Sequence, residues 1–285
     1  MGRELTNIQK IERSIVKTYR KRLWAPFLNA VTKYELIQEG DRIAVCISGG
    51  KDSMCMAKLF QILQQHSDIP FELVFLVMDP GYNKANRERI EQNAARLQIP
   101  VTIFETNIFA VAERQEKSPC YLCARMRRGH LYNKAKELGC NKIALGHHLN
   151  DVIETTIMAM FWSSKLETIV PKSRSENFEG MELIRPMYCI KEDAVKDWAA
   201  YNNLEFIRCA CRFTENIDME AEEMRSKRAE AKRLIRELKK NNPDIEDNIF
   251  RALHQVQLET FPGYKKDGRI LDFHEIYELR DNRLK

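Results

Sequence analysis

Four places in the chain combine residue types and spacings that can do chemistry. The first is "SGGKDS", Ser48, Gly49, Gly50, Lys51, Asp52 and Ser53, lying between an apolar run and a helical pattern. A glycine-rich turn at that position offers backbone N–H groups and the positive end of the helix dipole to an anion, phosphate above all. Its spacing fits neither the G-x-x-x-x-G-K-[ST] loop nor the dinucleotide G-x-G-x-x-G. A plain steric turn explains the glycines but not the added serines, lysine and aspartate. The second place is "GHHLND", with Gly146, His147, His148 and Asp151, where Asn150 or Asp151 could serve only as a helix N-cap. Two histidines after a glycine are hard to justify by packing, so a role in handling nucleotide or substrate is expected. The third is Asp79 in "VMDP", placed either to touch a bound nucleotide or metal or merely to cap the following turn.

The fourth place is a pair of cysteine motifs, "CYLC" (Cys120, Cys123) and "CAC" (Cys209, Cys211), drawn from eight cysteines in all. In a reducing compartment closely spaced thiols bind metal or do redox chemistry more often than they form lasting disulfides. Cys46, Cys55, Cys140 and Cys189 sit in apolar or helical surroundings and read as small hydrophobes. For the two pairs three chemistries compete: a structural four-cysteine zinc site, a catalytic persulfide or disulfide pair, and an iron-sulfur cluster on three cysteines. The Cys-x-Cys spacing of the second pair is less usual for zinc than Cys-x-x-Cys.

These residues need a scaffold. "RIAVCIS" and "FELVFLVMD" are short, β-branched and almost wholly apolar, as strands of a parallel sheet covered on both faces should be. "VTIFET", "KIALG", "MELIRPM" and "EFIRC" read as further strands, and helical patterns lie between them, one running from Glu192 to Tyr201. The segment 163–180 reads as a loop. The alternation predicts an α/β fold, a doubly wound, mainly parallel sheet whose ligands sit beyond the C-terminal strand ends. Ser48, Cys120 and Gly146 all fall at such ends. Four regions are expected: a basic helical extension over 1–35, the α/β domain over 36–214, a helical extension over 215–262 whose last helix runs from Pro243 to about Glu259, and a polar tail over 263–285.

At 285 residues and 44% hydrophobic content the chain can bury one sizeable core. No apolar run approaches the roughly 18 to 20 residues of a membrane span, and the N-terminus lacks the apolar stretch of a secretory signal, so no membrane association and a cytoplasmic location are expected. Thr6 follows Met1-Gly2, but the basic residues behind it speak against myristoylation. The formal charge is +5, with basic residues gathered at Lys10, Arg13, Lys17, Arg20, Lys21 and Arg22 and again over 225–240. Such faces suit a polyanion such as RNA. The competing reading of the second stretch is a solvated helix laced with i,i+4 pairs.

"SGGKDS" resembles the pyrophosphate loop of the ATP-pyrophosphatase (PP-loop) superfamily, whose fold is the adenine nucleotide alpha hydrolase-like sheet. "LIQEGDRIAVCISGGKDS", "CYLCARMRRGHLYNKAKELG", "ALGHHLNDVIETTIMAMFWSSKLETIVPK", "IRPM" and "NNPDIEDNIFRALHQV" follow in the order seen in the tRNA 2-thiocytidine synthetase family, over about residues 8 to 260. Lysidine synthetases share the loop but lack the Cys-x-x-Cys, and uridine-thiolating relatives usually carry extra zinc-finger cysteines at their termini. The resemblance implies an enzyme that adenylates a pyrimidine C2 oxygen of tRNA, using ATP and Mg²⁺, and replaces it with sulfur. It implies that Ser48 to Ser53 hold the β and γ phosphates, with Lys51 offsetting their charge and Asp52 holding Mg²⁺, and that Asp79, Gly146, His147 and Asp151 complete the nucleotide site. It further implies a [4Fe-4S] cluster on three cysteines, Cys120, Cys123 and Cys209, with Cys211 as the alternative third ligand. Here the chain departs from its relatives, showing Arg208-Cys209-Ala210-Cys211 where they show Pro-Cys-x-x-Cys. Expected partners are tRNA and a sulfur donor such as a cysteine desulfurase or free sulfide; a homodimer is allowed but not required. Two other classes stay open, an adenylating ligase with a structural zinc and a non-enzymatic RNA-binding or sulfur-carrier module.

Overall fold

The structure, a computed structural model, describes residues 4–112, 119–207 and 226–281. Contacts divide the chain into two compact units, Met1–Leu234 and Ile235–Lys285. The first is built on a six-stranded sheet of order β3-β2-β1-β4-β6-β5. Its strands are β1 (Arg42–Ile47), β2 (Glu72–Asp79), β3 (Val101–Glu105), β4 (Lys142–Ala144), β5 (Lys172–Arg174) and β6 (Glu182–Ile184). All neighbours pair in parallel except β5 with β6. The helices between them include α3 (Lys51–His66), α4 (Lys84–Arg96), α6 (Pro119–Glu137), α7 (Leu149–Ser163), α8 (Glu192–Tyr201) and α9 (Lys227–Asn241). A short α5 (Ile108–Ala112) follows β3. The doubly wound α/β sheet read from the sequence is present. Its order reverses between β1 and β4, the switch point at which ligands of such sheets bind.

The apolar runs of β1 and β2 are buried along nearly their whole length, as helices on both faces require. The N-terminal extension forms α1 (Asn7–Arg13), two π-helical turns (Ser14–Thr18 and Arg20–Trp24) and α2 (Ala25–Lys33). Thr6 and Gln9 close a capping box at its start. Ile15, Leu23 and Phe27 are fully buried, and Glu12 pairs at 2.7 Å with Lys58 of α3, so this basic segment is docked on the domain.

The structure corrects several sequence expectations. "EFIRC" forms no strand over its described residues 205–207; the carbonyl of Glu205 accepts from Asn93 Nδ2 of α4 at 2.8 Å instead of joining a ladder. The loop over 163–180 contains β5, a short polar edge strand whose "KSR" sequence carries no apolar alternation. The helix expected from Pro243 to Glu259 is α10 (Ile245–Ala252), followed by a 3₁₀ turn (Leu258–Thr260); the chain leaves the helix through i→i−3 bonds from His254 N to Arg251 O and Gln255 N to Ala252 O.

In the second unit Lys239 and Glu246 pair at 2.8 Å. The stretch read as a polar tail holds a hairpin, β7 (Tyr264–Lys266) and β8 (Arg269–Leu271), and α11 (Phe273–Asp281). Asp267 and Gly268 turn the hairpin at φ 49° and 82°, the left-handed pair a tight two-residue turn needs. Among the described residues no helix is long and apolar enough to cross a membrane.

Candidate active site

The loop after β1 turns at Gly49, whose φ of 85° places it in the left-handed region. A Cβ there would lie 2.6 Å from Ile90 Cγ1 and Ile207 Cδ1, so the position excludes larger residues on two grounds. Gly50 is the N-cap of α3 and brings no side chain to its first-turn amides; Met54 N is the first to bond back, to Gly50 O at 3.2 Å. The amides before it have no intrahelical acceptor and stand open to an anion at the positive end of the dipole. Ser53 shapes the loop: its Oγ accepts from Ser48 N at 3.1 Å and donates to Gly50 O at 3.0 Å. Tyr82 Oη donates to Ser48 O at 3.4 Å.

Lys51 and Asp52 enter a ring of ion pairs, closed by a histidine, that the sequence did not disclose. Lys51 Nζ lies 2.9 Å from Asp52 Oδ2 and 3.0 Å from Glu192 Oε1. Lys232 of α9 stands 3.8 Å from Glu192 and 3.7 Å from Glu154. Arg228, one turn earlier, reaches Glu154 at 3.3 Å and Asp151 at 2.8 Å. His148 closes the circuit, 3.3 Å from Asp151 and 3.8 Å from Asp52. Burial works against the charge of Lys51, but Asp52 and Glu192 hold its pKa above the ordinary lysine value. Burial raises Glu192 too, yet Lys196, Lys51 and Lys232 bring it down to about 2, whereas for Glu154 burial prevails over Lys232 and Arg228 and pushes it up to about 7. Lys232, which the basic patterning assigned to an RNA-facing surface, therefore faces buried Glu154 and half-buried Glu192; Arg233 beside it is exposed.

Asp52 Oδ1 is buried and has no hydrogen-bond partner, with His148 Nε2 3.8 Å away and beyond bonding distance, so this oxygen keeps its lone pairs free. His148, not Asn150 or Asp151, is the N-cap of α7: its Nδ1 accepts from Asp151 N while Asp151 Oδ2 accepts from His148 N. His147 is mostly buried with Nδ1 unpartnered, and burial, reinforced by Arg185 and Arg228, lowers it to about 4. Asp79 caps its turn, Oδ1 accepting from the amides of Gly81 and Tyr82 and Oδ2 pairing with Arg87 at 2.7 Å. Despite burial, these amides and Arg87 depress its pKa.

The turns after β1 and β4 abut. A Cβ on Gly146 would lie 3.2 Å from Ser53 N and 3.3 Å from the Asp52 carbonyl carbon, both backbone atoms. Gly146→Ala is expected to push the two turns apart by a few tenths of an ångström and to weaken ATP binding about tenfold, since small misplacements in such sites are costly. Isothermal titration against a melting curve that moves little would show it; unchanged ATP affinity would place the nucleotide elsewhere.

The helix carrying Cys120 and Cys123 starts on the same edge. From Glu137 the chain passes to Asn141, whose amide bonds Arg42 O at the N-terminal end of β1, and 19 helical residues run back about 28 Å toward the opposite edge. Positions 120 and 123 stand i,i+3 in the first turn of α6, on one helix face. Cys209 and Cys211 lie outside the described residues. Cys46, Cys55 and Cys140 are buried and Cys189 half-buried, as structural thiols. A cleft of about 700 Å³ beside Thr106, His130 and Lys134 opens at the end of β3 and includes none of the loop residues.

A glycine turn with open helix amides stands at the switch point of the parallel sheet, and the PP-loop domain family matches residues 12–256. Curated relatives named tRNA-cytidine(32) 2-sulfurtransferase share 35% identity with the chain over 262 residues in Alkalilimnicola ehrlichii, covering 90% of this chain and 79% of that one. In Polaromonas naphthalenivorans the figure is 33% over 274 residues, covering 95% and 82%. The chain belongs to the PP-loop family of ATP-using enzymes and, within it, to the tRNA-cytidine(32) 2-sulfurtransferase family. Among solved structures it shares its fold with the U34-tRNA thiolase NcsA from Methanococcus maripaludis, solved with its [4Fe-4S] cluster, at a TM-score of 0.62 and 22% identity over 85% of this chain and 80% of that one.

Proposed function

We propose that this enzyme is an ATP-dependent tRNA sulfurtransferase that adenylates the C2 oxygen of a cytidine in the anticodon loop and replaces that oxygen with sulfur. One observation carries the reading: the open amides, Lys51 and the spare carboxylate oxygen of Asp52 lie on the same sheet edge as the helix start bearing Cys120 and Cys123. The C2 oxygen attacks the α-phosphorus of ATP, the α–β bond breaks, and pyrophosphate departs into the loop; AMP later carries the oxygen away as sulfur takes its place. Ser48 to Ser53 bind the departing phosphates through backbone amides and Lys51. Asp52 Oδ1 is the oxygen that would hold Mg²⁺, its remaining shell supplied by phosphate and water. Asp79, through the turn it fixes, Gly146, through its closeness to Ser53, and Asp151 complete the nucleotide site, and His147 stands at its border, between Asp151 and Arg185.

Cys120, Cys123 and Cys209, with Cys211 as the alternative, would hold the [4Fe-4S] cluster. The i,i+3 placement of the first two, about 5 to 6 Å between Cβ positions on a helix, suits thiolates of one cluster. Two peptide links join Cys209 to Ile207, the residue whose Cδ1 faces Gly49, a tether of about 7 Å. When bound, such a cluster would supply the sulfur-transfer chemistry, and the three cysteines would hold it. A cysteine desulfurase or free sulfide is the proposed donor.

Mass spectrometry of tRNA nucleosides from cells with and without the gene tests the assignment. Loss of 2-thiocytidine alone is the expected result, and an unchanged thionucleoside profile would refute it. The tRNA surface has its own test. Arg20 and Lys21 are exposed on the docked N-terminal helix, whereas Arg22 pairs with Asp197. Arg20→Glu with Lys21→Glu should flatten the dependence of log K on log salt by about 0.7 to 0.9 for each phosphate no longer neutralised. An unaltered slope would make this face merely solvated.

A further inference from the structure

We propose that Arg185, with His147 beside it, forms an anion pocket that takes one backbone phosphate of the RNA substrate, an inference that rests on the tRNA-thiolating reading above. Arg185 follows β6 directly and is 8% exposed. Its Nη1 donates to Val170 O, and its Nε is buried without an acceptor. Among the described residues no carboxylate pairs with it. The groups that act on its charge are Arg128, a second cation, and the phenols of Tyr132 and Tyr188. A guanidinium withdrawn from water normally has an acid to meet it, and a buried donor normally has an acceptor. Holding up the Val170 carbonyl needs only one of the five N–H groups an arginine carries.

The ends of β4 and β6 bring His147 near it. Ala144 pairs with Ile184, and Leu145 N donates to Ile184 O at 3.0 Å, so the two segments leave the sheet side by side. Leu145 packs against the core cluster that includes Tyr132 and Ala135 of α6. Arg185 directly follows β6 and His147 lies in the turn after β4, where Arg185 acts on the His147 charge. His147 thus adds a second unpartnered buried nitrogen, Nδ1, to the same place. In the neutral ring this nitrogen can carry the proton and donate to a phosphate oxygen.

The approach to the pocket favours a polyanion over a free nucleotide. Arg125 and Arg128 are exposed on α6, the helix that begins at Cys120 and Cys123, and lead from solvent toward buried Arg185. ATP already has the amides of the loop and Lys51. A strand whose phosphate is gripped at Arg185 is held at the sheet edge where the loop and the α6 start both lie.

The test uses the full chain. Arg185→Gln should lower the slope of log K for tRNA against log salt by about 0.7 to 0.9, the equivalent of one phosphate, while ATP affinity and melting temperature hold. In the wild-type chain, where folding is not in question, the Arg185 Nε–H resonance should move on adding tRNA and stay in place on adding ATP or AMP. A resonance moved by ATP or AMP and not by tRNA would overturn the RNA assignment, as would an unchanged salt slope in Arg185→Gln. Thiolation by the wild type, measured in parallel, keeps the two claims apart. Thiolated tRNA with an unmoved resonance overturns the pocket alone, whereas a wild-type chain that thiolates no tRNA overturns the parent reading together with it.

Discussion

Lys51→Ala and Asp52→Ala are each expected to reduce thiolation and AMP release by at least about 10²- to 10³-fold, the usual cost of losing one preorganised group that meets charge in a transition state. The side chains are 26% and 28% exposed, and neither is packed in the apolar core, so the melting temperature and the metal content should change little. The two variants fail for opposite reasons. Without Lys51 the departing pyrophosphate meets Glu192, half-buried and held ionised, with one neutralising partner removed. Without Asp52 the loop loses its unpartnered carboxylate oxygen, and the dependence of the residual rate on Mg²⁺ should flatten. Initial rates of AMP formation with tRNA over a magnesium series measure both. Near-normal turnover in either variant would remove the loop from the reaction.

The cysteine series decides what the two motifs hold. If three thiolates carry a [4Fe-4S] cluster, Cys120→Ala, Cys123→Ala and Cys209→Ala should each lose iron and essentially all thiolation, while Cys211→Ala is mild. A closed four-cysteine zinc site would use every ligand and suffer alike in all four variants. Iron, zinc and labile sulfide measured after anaerobic purification, together with the visible thiolate-to-iron absorbance, separate these outcomes. One equivalent of zinc without iron would sink the sulfur-delivery chemistry. Loss in Cys211→Ala and retention in Cys209→Ala would keep the chemistry and reassign the ligand.

The strands β1 to β4 and the loop were legible in the sequence because each is a local pattern: apolar runs, a Gly-Gly turn, a helix start. β5 was not, since "KSR" is an edge strand without an apolar face, and "EFIRC" misled because the Glu205 carbonyl is taken by Asn93 of α4 and Ile207 faces the loop at Gly49 rather than pairing in a ladder. The Asp267-Gly268 pair is a hairpin signal, set in a stretch whose polarity hides the strands beside it. The ring around Lys51 could not be read. Glu154, Glu192, Arg228 and Lys232 each resemble ordinary solvated helix residues, and nothing local announces that Arg228 meets an acid 77 positions earlier or Lys51 one 141 positions later. The spacing of Arg228 and Lys232 does define a helix stripe, but not what that stripe faces.

That ring also sets an order of events during synthesis. Its members enter the growing chain as Lys51 and Asp52, then His148, Asp151 and Glu154, then Glu192, and last Arg228 and Lys232. The parallel pairing of β1 with β4 already demands closure over about a hundred residues, a slow step for contacts so distant in sequence. A nascent chain that has paired its strands still exposes Glu154 and Glu192 without the cations of α9. The Lys51-Asp52 turn therefore acquires its full set of counter-charges only after the segment carrying Cys209 and Cys211 has been made, so an interrupted chain has the sheet but an incompletely balanced turn.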